Sequence, residues 1–233
     1  MALFFSDELL VKGGYKMLTD LNCLLAGLVR LFGPLALFVF WHKRTGARLY
    51  PAVIAFMVCF PTFFVGTAIR SGFSHDNPIV YYIQQGLLFG VVEEGVKYLM
   101  FRFLLEKYDN RKDAVTYGIG HSAYEGVGGG MACLVLIGLN RAAPEIFWFN
   151  LWTTIESLAL TISLTVLIFY GIRMRKSGVT LPVAILVHAL CNAVKGIFIE
   201  PSAIVISAVA TACVSFAAYR CWRAMYVPFE QEL

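Results

Sequence analysis

Apolar segments follow one another along the whole chain, and short connections that are polar or contain Pro and Gly separate them. A helix needs roughly 20 apolar residues to cross the hydrocarbon core of a bilayer. Seven segments approach this length, so the pattern predicts seven membrane-spanning helices, which we number spans one to seven. Their predicted positions are about 21–41, 50–69, 79–105, 113–139, 149–172, 179–199 and 201–222.

The composition agrees with an all-α fold, a polytopic transmembrane helical bundle. Of the 233 residues, 59% are hydrophobic and only 15% are charged, and the mean hydropathy is +0.71. These values exclude an ordinary soluble domain. Because the spans leave no stretch for a second domain, we predict one integral membrane domain over residues 1–233.

The basic residues predict how the chain lies in the membrane. The connections after spans one, three and five, together with the end of span seven, carry eleven Lys and Arg residues. The opposite side carries four, which are Lys12, Lys16, Arg70 and Arg141. Since Lys and Arg are retained in the cytoplasm, we predict an outside N-terminus and a cytoplasmic C-terminus in the cell membrane. This role accounts for the net charge of +4, so no nucleic-acid partner is predicted.

Polar side chains interrupt the apolar pattern inside spans three to six. A charge near the centre of a spanning helix costs roughly 2.5–3.5 kcal/mol, and such residues usually mark functional sites. Within most of these spans they are three or four residues apart and therefore share one helix face. We predict a single buried polar site within about 79–199. Its candidate members are Glu93, Glu94, Lys97, His121, Glu125, Glu156, His188, Asn192 and Lys195.

Structural roles are the alternative for the same residues. Glu94 and Lys97 could form a buried ion pair that serves only stability. The histidines could form hydrogen bonds between helices, and Lys195 could extend toward the membrane surface or form an ion pair. The six cysteines lack paired spacing, so we interpret them as small apolar packing residues.

The residue types of the polar site are those that activate a water molecule. A carboxylate, either Glu93 or Glu94, can accept the proton of that water as a general base. His121 and His188 can donate to a developing oxyanion, and Asn192 can add a neutral donor.

A divalent metal such as zinc is also compatible with these side chains. The chain has no HExxH motif, so the metal ligands would come from different helices. The candidate ligands are His121, His188 and Glu125. The sequence leaves open whether a metal is bound, and it requires no other cofactor.

Three short motifs connect these residues to a known group of proteins. They are a Glu-Glu pair followed by a basic residue, an aromatic residue four positions before a histidine, and a histidine four positions before Asn or Asp. They fall on Glu93, Glu94 and Lys97, on Tyr117 and His121, and on His188 and Asn192. In these motifs the chain resembles the YhfC-type intramembrane proteases, relatives of the PrsW-type and CAAX prenyl endopeptidase proteins.

The resemblance covers about residues 50–200. It implies a water activated by glutamate, with the two histidines and Asn192 supporting an oxyanion or a metal. It also implies a supporting role for Tyr117. Because Lys97, Glu125 and Glu156 lie inside spans three to five, we predict supporting roles for them too.

We therefore expect an intramembrane peptidase that cleaves a peptide bond at or within the bilayer. Its partners would be membrane lipids and a peptide or membrane-protein substrate. One alternative is a non-catalytic membrane scaffold in which the polar cluster holds the helices together. A proton-coupled transporter is another, because intramembrane His and Glu residues also relay protons, but the sequence shows no inverted repeat.

Overall fold

The computed structural model describes residues 2–139, 146–198 and 201–225, and its side chains are described over 16–139, 151–198 and 201–225. These residues form seven α-helices and no β-strand, which confirms the all-α prediction. In chain order the helices are α1 (Ala2–Thr45), α2 (Tyr50–Arg70), α3 (Pro78–Leu99), α4 (Arg111–Gly138), α5 (Ile146–Arg173), α6 (Ser177–Ile197) and α7 (Ser202–Ala224). A π-helical turn, Met100–Leu104, continues α3.

Each predicted span corresponds to one helix. Five helices are both long and apolar enough to cross a membrane, namely α1 from Lys16, α2, α5 from Leu151, α6 and α7. The other two, α3 and α4, carry most of the polar site and do not belong to this set. The predicted end of span six at 199 and the side chains of Lys12 and Arg141 lie outside the described residues.

Asparagine side chains determine where the two polar helices begin. The Asn77 side-chain oxygen accepts hydrogen bonds from the backbone N–H groups of Ile79 and Val80, at 3.0 and 3.2 Å. The Asn110 side chain accepts from Lys112 N over 2.9 Å in the same way. Both caps satisfy backbone donors that have no acceptor within the helix, so the sequence fixes the start of α3 and α4 locally.

The packing places α4 against α1, α2 and α5, and it places α3 against α6. Glycines permit the closest approaches. Gly120 of α4 lies against the backbone of Ala52 in α2, and Gly90 of α3 lies against the carbonyl oxygen of Ile185 in α6. Small residues let helix backbones approach closely in membranes, and here they bring together the helices that carry the polar residues.

Gly90→Ala is expected to destabilise the protein by about 1–3 kcal/mol, the usual cost of an overpacked interior. A Cβ atom at Gly90 would stand 2.7 Å from Ile185 O, so α3 and α6 would have to separate. Gly95→Ala on the same helix is the control, because among the described residues no atom outside its own stretch of helix lies within 4 Å of the added Cβ. Thermal unfolding in detergent gives the melting temperature of each variant. A Gly90→Ala variant that melts at the same temperature as Gly95→Ala would contradict the close packing of α3 against α6.

The surface is much more apolar than that of a soluble protein, and the interior contains polar as well as apolar side chains. Large apolar side chains such as Phe64, Val179 and Phe216 are exposed, whereas Lys97 and Thr165 are completely buried. Such a surface is unfavourable in water and favourable against lipid tails. The chain is therefore an integral membrane protein whose outer helix faces contact lipid.

Polar contacts bring several helix ends to one end of the bundle. Lys112 Nζ donates to the carbonyl of Thr45 over 2.7 Å, and this joins the start of α4 to the end of α1. Arg111 Nη1 donates to the carbonyl of Trp222 over 3.0 Å, near the end of α7. The connections that carry many of the basic residues therefore lie on the same side, as the predicted topology requires.

An ion pair anchors the connection between α1 and α2 at this end. Arg48 pairs with Asp113 in the first turn of α4, and the Asp113 side chain is buried. Arg48 Nε donates to Asp113 Oδ1 over 3.2 Å, and hydrogen bonding to this carboxylate raises the pKa of Arg48. The pair helps to position α4 relative to its neighbours.

Candidate active site

A cluster of polar side chains lies inside the bundle where α2 to α6 meet. Its members are Cys59, Glu93, Glu94, Lys97, His121, Glu125, Ser157 and His188. Six of them are residues that the sequence predicted for the site. The convergence of α3, α4 and α6 on one place follows the prediction, and α2 joins them.

The two adjacent glutamates of α3 occupy different environments. Neighbouring residues on a helix point about 100° apart, so Glu94 faces the protein interior and is fully buried. Its Oε1 atom accepts from Lys97 Nζ and from His188 Nδ1, each over 2.6 Å. The Glu93 side chain is 20% exposed and lines a cavity. Of these two glutamates, only Glu93 is therefore open to a substrate or a water molecule.

His188 of α6 connects the two glutamates. Its Nδ1–H donates to the Glu94 carboxylate, which leaves Nε2 of the neutral ring with a free lone pair. That Nε2 atom lies 3.8 Å from Glu93 Oε2. A carboxylate on one ring nitrogen fixes the tautomer and the orientation of the other, as it does for many metal-binding histidines.

His121 of α4 lies on the other side of Glu93. Its Nε2 atom is 3.1 Å from Glu93 Oε2 and 3.4 Å from Glu125 Oε1. Glu125 lies one turn further along the same helix, which is the spacing that places both side chains on one face. The imidazole thus lies between two carboxylates from different helices.

Two residues of the cluster were missed by the sequence analysis. Cys59 of α2 lies with its Sγ atom 3.3 Å from His121 Nδ1, although we interpreted it as a packing residue. Ser157 of α5 donates its hydroxyl hydrogen to Glu125 Oε2. Neither residue carries a charge inside a span, so the signal that marked the other members was absent for both.

The donor atoms around Glu93 have the spacing of a metal site. Ligands of tetrahedral zinc lie about 2.0–2.2 Å from the ion and therefore roughly 3.4 Å from one another. The His121 Nε2 distances to Glu93 and Glu125, 3.1 and 3.4 Å, match that value. The donor atoms of these three residues all lie within 4.8 Å of one another. Imidazole and carboxylate groups at this spacing fit a divalent metal such as zinc.

An apolar cavity of about 480 Å³ leads to this cluster. Its walls include Phe60 and Phe63 of α2 and Tyr124 of α4, and Glu93 and His121 lie on its surface. Ligand pockets commonly have volumes of roughly 300–1,000 Å³ with few polar groups. The cavity therefore offers space for an apolar segment next to the polar side chains.

The other predicted residues have different surroundings. Tyr117, one turn before His121, is fully buried and packs its ring against Phe101, with ring centroids 4.8 Å apart. Asn192, one turn after His188, is half-buried and forms no hydrogen bond with any residue that the structure describes. Its role in the site stays a prediction.

Glu156 lies apart from the cluster. Its Oε2 atom is 3.2 Å from Lys195 Nζ, and both residues line a separate small cavity of about 50 Å³ beside α7. The ion-pairing alternative for Lys195 is the arrangement that the structure contains. No described contact connects Glu156 to the two histidines.

Comparison with known proteins agrees with this arrangement. Residues 30–146, about half of the chain, match the family model for the YhfC intramembrane metalloprotease. This chain belongs to that family. The membrane protein YhfC of Bacillus subtilis (strain 168) is 23% identical, and the match covers 72% of this chain and 80% of the relative. No solved structure matches the chain.

The YhfC family match covers part of the candidate site. Glu93, Glu94, His121 and Glu125 lie within the matched residues, whereas His188 lies beyond them. The resemblance noted from the sequence motifs is thus confirmed at the level of the family. A family of metalloproteases is also compatible with the metal-like spacing of the donor atoms.

Proposed function

We propose that this chain is an intramembrane metallopeptidase that hydrolyses a peptide bond of an apolar substrate at or within the bilayer. His121, Glu125 and His188 would hold a divalent metal, with zinc as the first candidate. Glu93 would be the general base that activates water. Family membership supports the reaction class, and the outer hydrogen bonds of His121, Glu125 and His188 support the assignment of roles.

One observation distinguishes the three proposed ligands from the base. Metal ligands usually have their second polar atom held by an outer hydrogen bond that fixes their orientation. Three outer pairs of this kind are present, His121 with Cys59, Glu125 with Ser157 and His188 with Glu94. Glu93 has no outer partner among the described residues and faces the cavity. It is therefore the carboxylate that remains free to exchange protons.

The reaction needs a base near an attacking water. A divalent metal in this position would supply Lewis-acid polarisation of the substrate carbonyl. Glu93 accepts a proton from the water as its oxygen bonds to the carbonyl carbon, and it returns that proton to the amine as the C–N bond breaks. The Glu93 Oε2 atom lies 3.1 Å from His121 Nε2, which places this base beside the proposed metal ligands.

Glu94 and Lys97 would act as positioning residues. Lys97 balances the charge of Glu94 in the interior, and Glu94 orients His188 through Nδ1. Because Glu94 is fully buried and already accepts two hydrogen bonds at one oxygen, it is a poor base for an external water. Asn192 is the proposed neutral donor to the oxyanion, and Tyr117 is proposed to support α4 by packing its ring against Phe101.

The substrate would reach the site through the apolar cavity. Phe60, Phe63, Tyr124 and Val127 surround Glu93 and His121 there, so the site suits an apolar stretch of peptide rather than a charged one. Part of the gain from burying such side chains would offset the cost of unwinding the peptide around the cleaved bond.

We further propose that residues 1–233 form one domain in the cell membrane, with the N-terminus outside and the C-terminus in the cytoplasm. The excess of basic residues on one side supports this orientation. Family membership favours hydrolysis over the scaffold and transporter alternatives.

The proposal is tested by cleavage of labelled transmembrane peptides by the purified full chain in nanodiscs. We expect cleavage that stops when a chelator removes the metal and returns when zinc is added, because the polarised carbonyl depends on it. A peptide without an apolar stretch is the matched control and should stay intact. Cleavage that survives complete metal removal would contradict the metal-dependent reaction.

A further inference from the structure

A second cavity of about 510 Å³ lies at the end of the bundle where α3 ends and where α5 connects to α6. None of the residues of the candidate active site lines it. Its apolar part comes mainly from Phe101 and Phe169, which are buried. Its polar part comes from arginine side chains and the first residues of α6. This combination is different from the apolar cavity beside Glu93.

Three arginines from different segments converge on this cavity. Arg102 comes from the π-helical turn, Arg173 is the last residue of α5, and Arg175 lies in the connection before α6. Arg102 and Arg175 form no hydrogen bond or ion pair with any side chain that the structure describes. Arg173 is held in place by the ring of Phe169, 5.2 Å from its guanidinium carbon, and lies 3.9 Å from Asp109.

The backbone at this cavity is also suited to an anion. Ser177 and Gly178 line it, and they are the first two residues of the 21-residue helix α6. Backbone N–H groups in the first turn of a helix have no acceptor within the helix, and they favour negative charge. Arg175 has a φ of 56°, in the left-handed region that L-residues rarely adopt. Arg175 lies two residues before the start of α6, next to the cap residue Lys176.

Membrane topology explains why arginines lie at this end of the bundle, but it does not explain why three of them line the same cavity. Membrane orientation requires basic residues in the connections and does not require them to share a cavity. One acidic residue, Glu106, also lines the cavity, so positive side chains outnumber it three to one. Arg102 and Arg175, which have no side-chain partner among the described residues, therefore line a space that is large enough for a ligand.

We propose that this cavity binds the phosphate group of an anionic ligand at the membrane surface. Guanidinium groups bind phosphate with paired, charge-assisted hydrogen bonds, which a lysine cannot reproduce. Basic pockets at the ends of membrane helices are suited to anionic lipid headgroups. A soluble phosphate compound would use the same contacts. This site is independent of the proposed peptidase reaction and does not rely on it.

Native mass spectrometry of the purified full chain in detergent tests the site, with phosphatidylglycerol as the probe. The variant is Arg102→Gln/Arg175→Gln. The matched control is Arg44→Gln/Arg220→Gln, which removes the same charge from exposed residues that lie outside the cavity. A cation close enough to contact the headgroup contributes roughly fivefold to binding, and only the cavity arginines would make this contact in detergent, so we expect about 25-fold weaker binding in the cavity variant. The control should retain its affinity.

A second arm adds inorganic phosphate as a competitor. Lipid that stays bound at millimolar phosphate identifies a headgroup as the ligand, and lipid that is displaced identifies soluble phosphate as a ligand of the same cavity. Equal loss of binding in the cavity variant and the control would overturn the proposal, because such a loss would reflect surface charge alone. Full lipid binding by the cavity variant would overturn it as well. If the double variant does not fold, Arg102→Gln alone, with an expected loss of about fivefold, decides the question.

Discussion

Glu93→Gln is expected to lower the rate of peptide hydrolysis by about 10²–10⁴-fold, the range for loss of a general base. Gln has nearly the shape of Glu but cannot accept the proton of the attacking water. Glu93 is the carboxylate of the cluster that lines the cavity without an outer hydrogen-bond partner among the described residues. Turnover of a labelled transmembrane peptide in nanodiscs measures the effect.

The control for this variant is Asp76→Asn, which neutralises an exposed carboxylate in the connection between α2 and α3. It should leave turnover unchanged. Glu93→Gln with turnover similar to the parent protein would mean that another group accepts the proton, and Glu94 would then be the remaining candidate.

Lys97→Met is expected to destabilise the protein by about 3–5 kcal/mol, the typical cost of removing one partner of a buried ion pair. Lys97 and Glu94 are both completely buried, and Lys97 Nζ donates to Glu94 Oε1 over 2.6 Å. Without the lysine, the Glu94 carboxylate would remain in the interior with His188 as its hydrogen-bond donor. Denaturant unfolding in detergent measures the change.

The double variant Lys97→Met/Glu94→Gln should recover most of the lost stability, because it leaves no uncompensated charge in the interior. It should still cleave peptide poorly, since Gln orients His188 less firmly than a carboxylate does. A single Lys97→Met variant as stable as the parent protein would contradict the buried pair.

The seven helices could be predicted because the bilayer sets the length of an apolar span. The starts of α3 and α4 follow from local chemistry, since Asn77 and Asn110 cap them. The N-terminal extent of α1, from Ala2, could not be predicted, because Gly13 and Gly14 precede its apolar part and glycine disfavours the interior of a helix. The π-helical turn after α3 also has no local signal in the sequence.

The members of the site could be predicted better than their contacts. Glu93, His121 and His188 stand out because charged and polar groups are costly inside a span. The division of roles between Glu93 and Glu94 could not be predicted, because it depends on how α3 is rotated against α6. That rotation is determined by packing, including the close contact of Gly90 with Ile185.

Contacts between helices explain the remaining differences. Depth in the membrane placed Glu156 near the site, but its carboxylate pairs with Lys195 beside another cavity. Cys59 and Ser157 contact the site although each is uncharged and ordinary for a spanning helix. A single sequence contains no information on which neutral residue of one helix faces a histidine of another.

We propose that His121, Glu125 and His188 hold a metal while Glu93 does not. The most direct test is the zinc content per chain of purified His121→Ala, Glu125→Gln, His188→Ala and Glu93→Gln variants, measured by mass spectrometry of the metal. We expect the first three variants to lose the metal and Glu93→Gln to retain it. Loss of zinc in Glu93→Gln, with retention in His188→Ala, would contradict the assignment.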